Sequence, residues 1–437
     1  MTRLYEAAAY APQTGIWWDE TEAAPDWPRC DGDTQADVAI IGGGFTGLTA
    51  ALHLAQDGVD VALFEAAAPG FGASTRNGGF CCLGGARLSR RAMLRRFGPQ
   101  ARADWCATEK AAVDTVARLL ADNRIDADTH SRGETMLAHN PRAMADLRAS
   151  VPGIEAEYGV TPTLTEARDL PGQGLNGPFH GALTIPLGFA LNPRRYHGGL
   201  ARAAASAGAR LYAQSPVTKI ENGFRLTTPN GQIAAKKLIV ATNGYGSDDL
   251  PGWLRSRYIP VQSSVIVTRP LTIAEQAAQG WTSDQMCYDT RTLLHYFRKL
   301  PDDRFLFGMR GGLSATPRAE AAIRSKIRAD FNAMFPAWLN VEITHDWSGL
   351  VCLMGNLTPF AGPIPGMPGA FAGLGYHGNG VAMASHTGVI LADLAMGKPP
   401  RVGHPQVMQA IPRRFPLGRY RRALLRPAYA LAQIMDR

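Results

Sequence analysis

Apolar residues early in the chain change their spacing from strand-like to helix-like and back. Residues 38–41 form a continuous apolar run of β-branched residues and alanine, which predicts a buried strand. A helical pattern opens over residues 48–55, and residues 60–64 predict a second strand. Residues 36–66 therefore predict a βαβ unit.

The rest of the chain alternates between helix-like and strand-like segments. Helical spacing predicts helices within residues 88–150, 197–207, 273–279 and 317–334. Apolar or β-branched runs predict strands at residues 210–212, 217–220 and 237–242, with a hairpin over 224–233. Glycine-rich turns that end in a helix occupy residues 345–396, and we find no internal repeat.

Pieces of nucleotide-binding architecture occur early, in the middle and late in the chain, with different material between them. This order predicts one nucleotide-binding domain built from three stretches, with a substrate domain inserted between them. The predicted ranges are a lead-in (1–35), the nucleotide-binding domain (36–90, 165–250 and 345–400), the substrate domain (91–164 and 251–344) and a basic tail (401–437).

Composition indicates a globular protein, since 46% of the 437 residues are hydrophobic and 19% are charged. The longest uncharged stretch, residues 38–56, contains glycines, threonines and a histidine, and we interpret it as strand, turn and helix rather than a membrane span. The six cysteines show no metal spacing, so we expect no metal site. With no secretory signal visible, we expect a cytoplasmic location.

Positive charge is concentrated in two segments of a chain whose net charge is +8. Residues 411–437 carry seven arginines and one acidic residue, and residues 87–102 carry six arginines and none. Such runs are usually solvated faces, but they also suit an anionic membrane, a nucleic acid or an electron acceptor.

The turn of the βαβ unit has the spacing of a dinucleotide-binding loop. Gly42, Gly44 and Gly47 fit G-x-G-x-x-G, and Glu65 ends the second strand. The first glycine permits the tight turn, the second lets a pyrophosphate approach the backbone, and the third lets helix and strand pack closely. A carboxylate at the position of Glu65 grips ribose hydroxyls, which argues against a 2′-phosphate and hence against NADP.

A second glycine-rich loop follows the second strand directly. Residues 70–79, GFGASTRNGG, offer consecutive backbone N–H groups, two hydroxyls and an arginine. These groups suit a pyrophosphate and the polar edge of a flavin.

With these motifs the chain resembles the D-amino-acid oxidase superfamily of FAD-dependent amine oxidoreductases, most closely its γ-glutamylputrescine oxidase branch. The resemblance spans residues 15–400. It rests on the lead-in tryptophans and on the segments IGGGFTGL, GASTRNGG, GFALNPRRYHGGLARAAASAGARLYAQSPVTKI, ATNGY, WSG and GYHGNGVAMA.

The resemblance implies a mixed α/β (α+β) fold. A Rossmann-like FAD-binding domain of the glutathione-reductase type is assembled from discontinuous segments, and an antiparallel-sheet substrate domain is inserted into it. It implies non-covalent FAD held by Gly42, Gly44, Phe45, Thr46, Gly47, Glu65, Ala66, Gly72, Ala73, Ser74, Arg76, Asn77, Gly78, Gly79, Val217, Ala241, Thr242, Asn243, Trp347, Gly349, Gly375, Tyr376, Gly378, Asn379, Gly380 and Val381.

The resemblance also implies oxidation of a C–N bond in a small amine or amino acid. A hydride passes to flavin N5 and the resulting imine hydrolyses, so no catalytic triad is expected. We nominate His377, Tyr296 and Arg298 as catalytic, with Arg310 as a further pocket residue. Alternation places Tyr296 and Arg298 on one face of a strand, where an arginine can clamp a carboxylate or simply face solvent.

Three departures from the family pattern bear on the chemistry. Sarcosine oxidases carry a lysine where this chain has Ala382, and an oxygen-activating lysine whose nearest match here is Leu306. Cys352 lies one residue from the position where some relatives attach flavin covalently. The usual serine and histidine of the GYHGNG run are replaced by His377 and Asn379.

The electron acceptor is left open between O2, giving H2O2, and a quinone or protein in a dehydrogenase. For the latter, residues 420–435 suggest an amphipathic helix against an anionic membrane. A non-catalytic flavin protein with a basic interaction tail is the alternative of another class. No nucleic-acid motif is visible, so we expect no nucleic-acid partner. The oligomeric state is not indicated.

Overall fold

The computed structural model describes residues 2–436. Within them the strands are β1 Thr34–Ile41, β2 Val61–Phe64, β3 Phe80–Cys81, β4 Glu134–Leu137, β5 Thr163–Glu166, β6 Gly181–Ile185, β7 Phe189–Ala190, β8 Arg210–Tyr212, β9 Lys219–Glu221, β10 Arg225–Thr228, β11 Gly231–Val240, β12 Tyr258–Thr268, β13 Met286–Asp289, β14 His295–Lys299, β15 Phe305–Arg310, β16 Ile343–Met354, β17 Phe360–Pro363 and β18 Ala370–Leu374. The α-helices are α1 Trp17–Thr21, α2 Phe45–Gln56, α3 Arg90–Asp122, α4 Pro141–Tyr158, α5 Pro193–Ser206, α6 Ile273–Gln279, α7 Pro317–Met334, α8 Gly380–Ala395, α9 Gln406–Gln409 and α10 Leu425–Met435.

The first sheet contains the βαβ unit that the sequence predicts. Its order is β17-β18-β11-β1-β2-β8, with β9 and β10 attached beside β11. Strand β1 lies between β11 and β2 and is parallel to both, so three carboxyl ends meet at one edge. Ligands of open parallel sheets bind at such an edge.

The second sheet has eight strands in the order β16-β12-β15-β14-β13-β4-β6-β5. Its neighbours are antiparallel except for β13 and β4. An aromatic core that includes Trp281, Phe297, Phe305, Phe331 and Trp338 packs between this sheet and α7. A Rossmann-like nucleotide-binding sheet joined to a largely antiparallel second sheet confirms the predicted fold class.

The structure differs from the sequence-based elements in two places. The predicted helical region 88–150 contains strand β4, and α3 is kinked where Gly98 adopts a φ of 86° before Pro99. Strands β6 and β16 hydrogen-bond within the second sheet, although the predicted ranges 165–250 and 345–400 place them wholly or mainly in the nucleotide-binding domain.

Residues 38–56, the longest uncharged stretch, divide between β1 and α2. Among the helices of residues 2–436, none combines the length and the apolar character that a bilayer crossing needs. The same part of the chain contains no group of three or more His, Cys, Asp or Glu side chains arranged to hold a metal ion.

Candidate active site

A cavity of about 780 Å³ joins the carboxyl edge of the first sheet to the face of the second. The turn after β1, the 70–79 loop, the end of β11 and the segment after β18 line it from one side. Side chains of β12 to β15, among them Ser263, Tyr288, Tyr296 and Arg310, line it from the other. One continuous space therefore offers both a nucleotide cradle and a substrate compartment.

The glycines of the turn after β1 leave no room for side chains. Gly42 has a φ of 109°, and a Cβ there would lie 2.7 Å from the Ala241 carbonyl oxygen. A Cβ on Gly44 would lie 2.7 Å from Ser74 Oγ, and one on Gly47 would lie 2.0 Å from the Gly42 carbonyl oxygen. The first turn of α2 contains no acidic residue, and the partial positive charge of this helix end lies at the cavity, where it suits an anionic group.

Glu65 lines the cavity at the end of β2 and is tied to the same turn. Its carboxylate accepts the Gly43 N–H at 2.9 Å and the Ala67 N–H at 3.0 Å. Burial raises the pKa of this carboxyl group, the two backbone donors opposing that rise. These contacts fix the carboxylate beside the turn after β1, at the wall of the cavity.

Tryptophan side chains anchor the 70–79 loop from behind. Trp18 Nε1 donates to the Asn77 carbonyl at 2.9 Å, and Trp347 Nε1 donates to the Arg76 carbonyl at 2.9 Å. Gly79 has a φ of 76°, and a Cβ there would lie 1.9 Å from the Leu191 carbonyl oxygen. Trp347 and Gly79 therefore shape the loop without lining the cavity.

The segment after β18 is joined to the turn after β1 and to the end of β11. The Tyr376 hydroxyl lies 2.7 Å from Thr46 Oγ1, and the Gly375 N–H donates to Asn243 Oδ1 at 2.9 Å. Helix α8 then begins after Asn379, with its N-terminus at the cavity. That position suits negative charge on a bound group.

The cavity collects most residues that the sequence assigned to the cofactor. Of that set, Gly47, Gly79, Trp347 and Gly375 do not line it and act through packing or hydrogen bonds instead. Those that line it are Gly42, Gly44, Phe45, Thr46, Glu65, Ala66, Gly72, Ala73, Ser74, Arg76, Asn77, Gly78, Val217, Ala241, Thr242, Asn243, Gly349, Tyr376, Gly378, Asn379, Gly380 and Val381.

His377 borders the cavity, but both of its ring nitrogens bind backbone groups. Nδ1 donates to the Gly85 carbonyl at 2.8 Å, and Nε2 accepts the Met354 N–H at 3.1 Å. Burial, assisted by nearby arginines, lowers the pKa of His377 to about 4. The imidazole is therefore neutral at pH 7 and is engaged in holding two segments together.

Tyr296 and Arg298 share a face of β14 but have different surroundings. Tyr296 lines the cavity, its hydroxyl lies 3.0 Å from Ser263 Oγ, and Gly308 leaves room for its ring. Arg298 lies outside the cavity, where it donates to the carbonyls of Gly78 at 3.0 Å and Leu191 at 2.7 Å. The guanidinium thus supports the 70–79 loop and is not positioned to clamp a substrate carboxylate.

Arg310 is the arginine that enters the cavity from β15. Burial lowers its pKa to about 10, so it remains a cation at pH 7. Within residues 2–436 its guanidinium makes one hydrogen bond, from Nη2 to Asn379 Oδ1 at 3.5 Å. A half-buried cation that lines a cavity and has so weak a partner is suited to an anionic ligand group.

The sequence analysis did not single out Tyr288 or Glu134. Tyr288 lines the cavity, and its hydroxyl donates to Glu134 Oε2 at 3.2 Å. Burial raises the pKa of Glu134 to about 8. No motif marks either residue, and the pair forms only because β13 and β4 are neighbours in the sheet.

Cys352 and Leu306, two residues at which the chain departs from the family pattern, also have defined environments. Cys352 lines the cavity, and burial raises the pKa of its thiol. Leu306 packs with Trp18, Val265 and Trp347 outside the cavity. No lysine lies among the described cavity residues.

A family model described as FAD-dependent oxidoreductase matches residues 37–394 of the chain. The chain belongs to this family. It is 33% identical to a probable oxidoreductase OrdL of Rhizobium meliloti (strain 1021), over 96% of this chain and 97% of that protein. It is 29% identical to the γ-glutamylputrescine oxidoreductase of Escherichia coli (strain K12), over 83% of this chain and 84% of that protein.

The fold of this FAD-dependent oxidoreductase is similar to that of a solved glycine oxidase from Geobacillus kaustophilus. The TM-score is 0.68 at 23% identity, over 84% of this chain and 96% of that one. The protein is an FAD enzyme, and its glycine-lined turn and the cavity-lining carboxylate of Glu65 fit that cofactor.

Proposed function

We propose that this FAD-dependent oxidoreductase oxidises a C–N bond in a small amine that carries a carboxylate, such as an amino acid or a related amine. The observation that carries this proposal is the position of Arg310, a half-buried cation that lines the same cavity as the dinucleotide cradle. Two relatives support it by name, the γ-glutamylputrescine oxidoreductase and a glycine oxidase of Pseudomonas aeruginosa, which is 25% identical over 83% of this chain.

The proposed contacts with FAD rest on the residues that line the cavity. The turn Gly42–Thr46 and the N-terminus of α2 would hold the pyrophosphate, and Glu65 would hold the ribose hydroxyls. The backbone of Val217 would pair with the adenine. The segment Tyr376–Val381 and the N-terminus of α8 would hold the isoalloxazine, where the helix dipole favours negative charge.

The reaction requires a neutral amine held in one orientation. Bound FAD supplies the two-electron acceptor for the hydride that leaves the carbon next to nitrogen, while the amine proton is released. The imine product adds water and separates into a carbonyl compound and ammonia, or an amine if the nitrogen is substituted. Arg310 holds the carboxylate, and the hydroxyls of Tyr288 and Tyr296 offer hydrogen bonds to the nitrogen end.

For the second half of the cycle we propose transfer of the two electrons to O2, which yields H2O2. A dehydrogenase that uses a quinone or protein acceptor is the second candidate. It is favoured by one observation: Leu306, the match to the oxygen-activating lysine of sarcosine oxidases, packs outside the cavity, and no lysine lines the cavity in its place.

Turnover with two acceptors tests the reaction and separates these candidates. Purified holoenzyme is incubated with γ-glutamylputrescine, putrescine, sarcosine, glycine, proline, and D- and L-amino acids, first in air and then under nitrogen with a redox dye. An oxidase forms H2O2 and the carbonyl product in air, whereas a dehydrogenase forms that product only with the dye. Absence of product with either acceptor across the panel would contradict the proposal and favour a non-catalytic flavin protein.

A further inference from the structure

The last helix of the described chain, α10, has apolar side chains on two opposite faces. Leu425, Tyr429 and Ala432 share the inner face, where they pack toward the body of the protein. Leu431, Ile434 and Met435 recur at the i, i+3, i+4 spacing that places them on one face, and they are 58%, 66% and 66% exposed. A helix that is apolar on both faces is expected to have a partner on each.

Exposed apolar side chains are concentrated in this part of the protein. Nine large hydrophobic side chains are exposed in residues 2–436, and six of them lie in residues 411–435. Isolated exposed hydrophobic residues need no explanation, but a cluster of them marks an interaction surface. We define the tail surface as Ile411, Leu417, Tyr420, Leu431, Ile434 and Met435.

The exposed charged residues of residues 411–436 are all arginines. Arg413, Arg414, Arg419 and Arg426 are exposed in the same segment. The acidic residue of the segment, Asp436, accepts the backbone N–H groups of Thr292 at 2.6 Å and Leu293 at 3.0 Å. The exposed cations are therefore next to exposed apolar groups without interleaved exposed acids.

Two ion pairs tie the segment to the body of the protein. Arg421 is fully buried and pairs with both carboxylate oxygens of Asp248, at 2.8 and 2.5 Å. Arg422 pairs with Glu6 at 2.7 Å. These two arginines of the basic tail fix the segment, which leaves the exposed four available to a partner.

We propose that the tail surface binds an anionic lipid bilayer at its interface. A helix that lies in the headgroup region uses apolar side chains that enter the acyl boundary and flanking arginines that attract anionic lipid. The tail surface supplies both, whereas a neutral protein partner would leave the arginines without counter-charge. The surface is also close to the active site. Asp436, at the end of α10, binds the backbone of Thr292 and Leu293, and the next residue, Leu294, lines the cavity. The proposal does not depend on the substrate.

Vesicle co-sedimentation with the FAD-loaded protein tests it. We expect binding to vesicles of phosphatidylcholine with phosphatidylglycerol, at least tenfold weaker binding to phosphatidylcholine alone, and a similar loss at high salt. The double variant Leu431→Gln/Ile434→Gln and the double variant Arg419→Gln/Arg426→Gln should each bind at least tenfold more weakly. Flavin absorbance and the melting temperature verify that each variant is folded.

The matched control replaces two exposed hydrophobic residues elsewhere, Ile273→Gln and Leu339→Gln, and should bind anionic vesicles as the parent does. Equal binding by the control and by Leu431→Gln/Ile434→Gln would overturn the proposal, as would absence of binding to any vesicle. A dimer in light scattering that the Leu431→Gln/Ile434→Gln variant dissociates, with no vesicle binding, would assign the surface to a second copy instead. None of these readouts depends on turnover, so they stand apart from the test of the reaction.

Discussion

Arg310 and Asn379 meet across the cavity, with Arg310 Nη2 at 3.5 Å from Asn379 Oδ1. The amide is held in turn by the Leu83 carbonyl, which accepts from Asn379 Nδ2 at 2.5 Å. A Cβ on Gly378 would lie 2.5 Å from Arg310 Nη2, so the glycine leaves the space that the guanidinium occupies. The second sheet thus delivers a cation to the N-terminus of α8.

Replacing Arg310 tests whether this cation binds the substrate. Hydrogen bonds to a charged group contribute about 1.5–3 kcal/mol, so Arg310→Gln should lower kcat/KM for a carboxylate-bearing amine about 10- to 100-fold. Amines without a carboxylate should lose much less. The control Arg318→Gln removes an exposed arginine on α7. Equal losses for both substrate classes would show that Arg310 does not recognise the carboxylate.

Substitution of Gly44 tests the dinucleotide cradle. A Cβ there would lie 2.7 Å from Ser74 Oγ and would keep a pyrophosphate from approaching the backbone, so Gly44→Ala should displace the Ser74 hydroxyl and weaken FAD binding. A loss of about tenfold or more corresponds to about 1.4 kcal/mol or more. The ratio of flavin to protein absorbance after dialysis measures it. Gly153→Ala, in α4 with nothing within 4 Å of the added Cβ, should leave the FAD content unchanged.

Buried titratable groups predict a stability maximum near pH 6.5. Burial lowers the pKa of His130, His197, His377 and His386 to about 4 each, so the unfolded chain binds more protons as pH falls from about 6.5 to 4 and stability falls. Burial raises the pKa of Glu109 to about 7 and of Glu134 to about 8. From about pH 4.5 upward the folded chain retains protons that the unfolded chain has lost, which lowers stability as pH rises. Above about pH 6.5 the histidines no longer oppose this effect, so stability falls up to about pH 8.

Thermal unfolding followed across pH 4 to 9 measures both limbs of this curve. Each unit of pKa shift corresponds to about 1.4 kcal/mol. Glu134→Gln should flatten the limb above pH 6.5 and steepen the limb between about pH 4.5 and 6.5, because this carboxyl group keeps its proton in the folded chain from about pH 4.5 to 8. If the loss of stability above pH 6.5 is the same in that variant as in the parent, Glu134 does not cause it.

Cys352 bears on the attachment of the flavin. Since burial raises the pKa of its thiol, it remains protonated, and the thiolate is the reactive form. We therefore expect acid precipitation of the holoenzyme to release all flavin into the supernatant, and Cys352→Ser to retain its FAD content. Flavin fluorescence that stays with the denatured polypeptide would contradict non-covalent binding.

Capping residues and helical spacing predicted the helices whose ends they determine. Helices α6 and α7 begin and end where the sequence places them, because Thr272 and Thr316 cap their N-termini and Gly280 adopts a left-handed conformation after α6. Strand β4 has four residues between two helices, and its pairing with β13 brings together segments far apart in the chain. The helical pattern of its neighbours therefore concealed it.

The sequence predicted the parts of the candidate site that belong to a motif. It was less informative about side chains that reach the site only through the packing of distant strands. The glycines of the turn after β1 were found because the dinucleotide cradle demands them. Alternation along β14 correctly placed Tyr296 and Arg298 on one face. It could not show that Gly308 leaves space for the Tyr296 ring in the cavity, or that the Gly78 carbonyl binds Arg298 outside it. The contact between Tyr288 and Glu134 could be predicted only from the strand order, which places β13 beside β4.

Anaerobic reduction of the bound flavin tests the central claim most directly. FAD-loaded protein under nitrogen is mixed with each amine of the panel while the visible flavin band is recorded, and air is then admitted. The account predicts that at least one carboxylate-bearing amine bleaches the band, and that Arg310→Gln slows the bleaching at a fixed concentration. A fully loaded flavin that no amine on a broad panel can bleach would contradict C–N bond oxidation as the function of this protein.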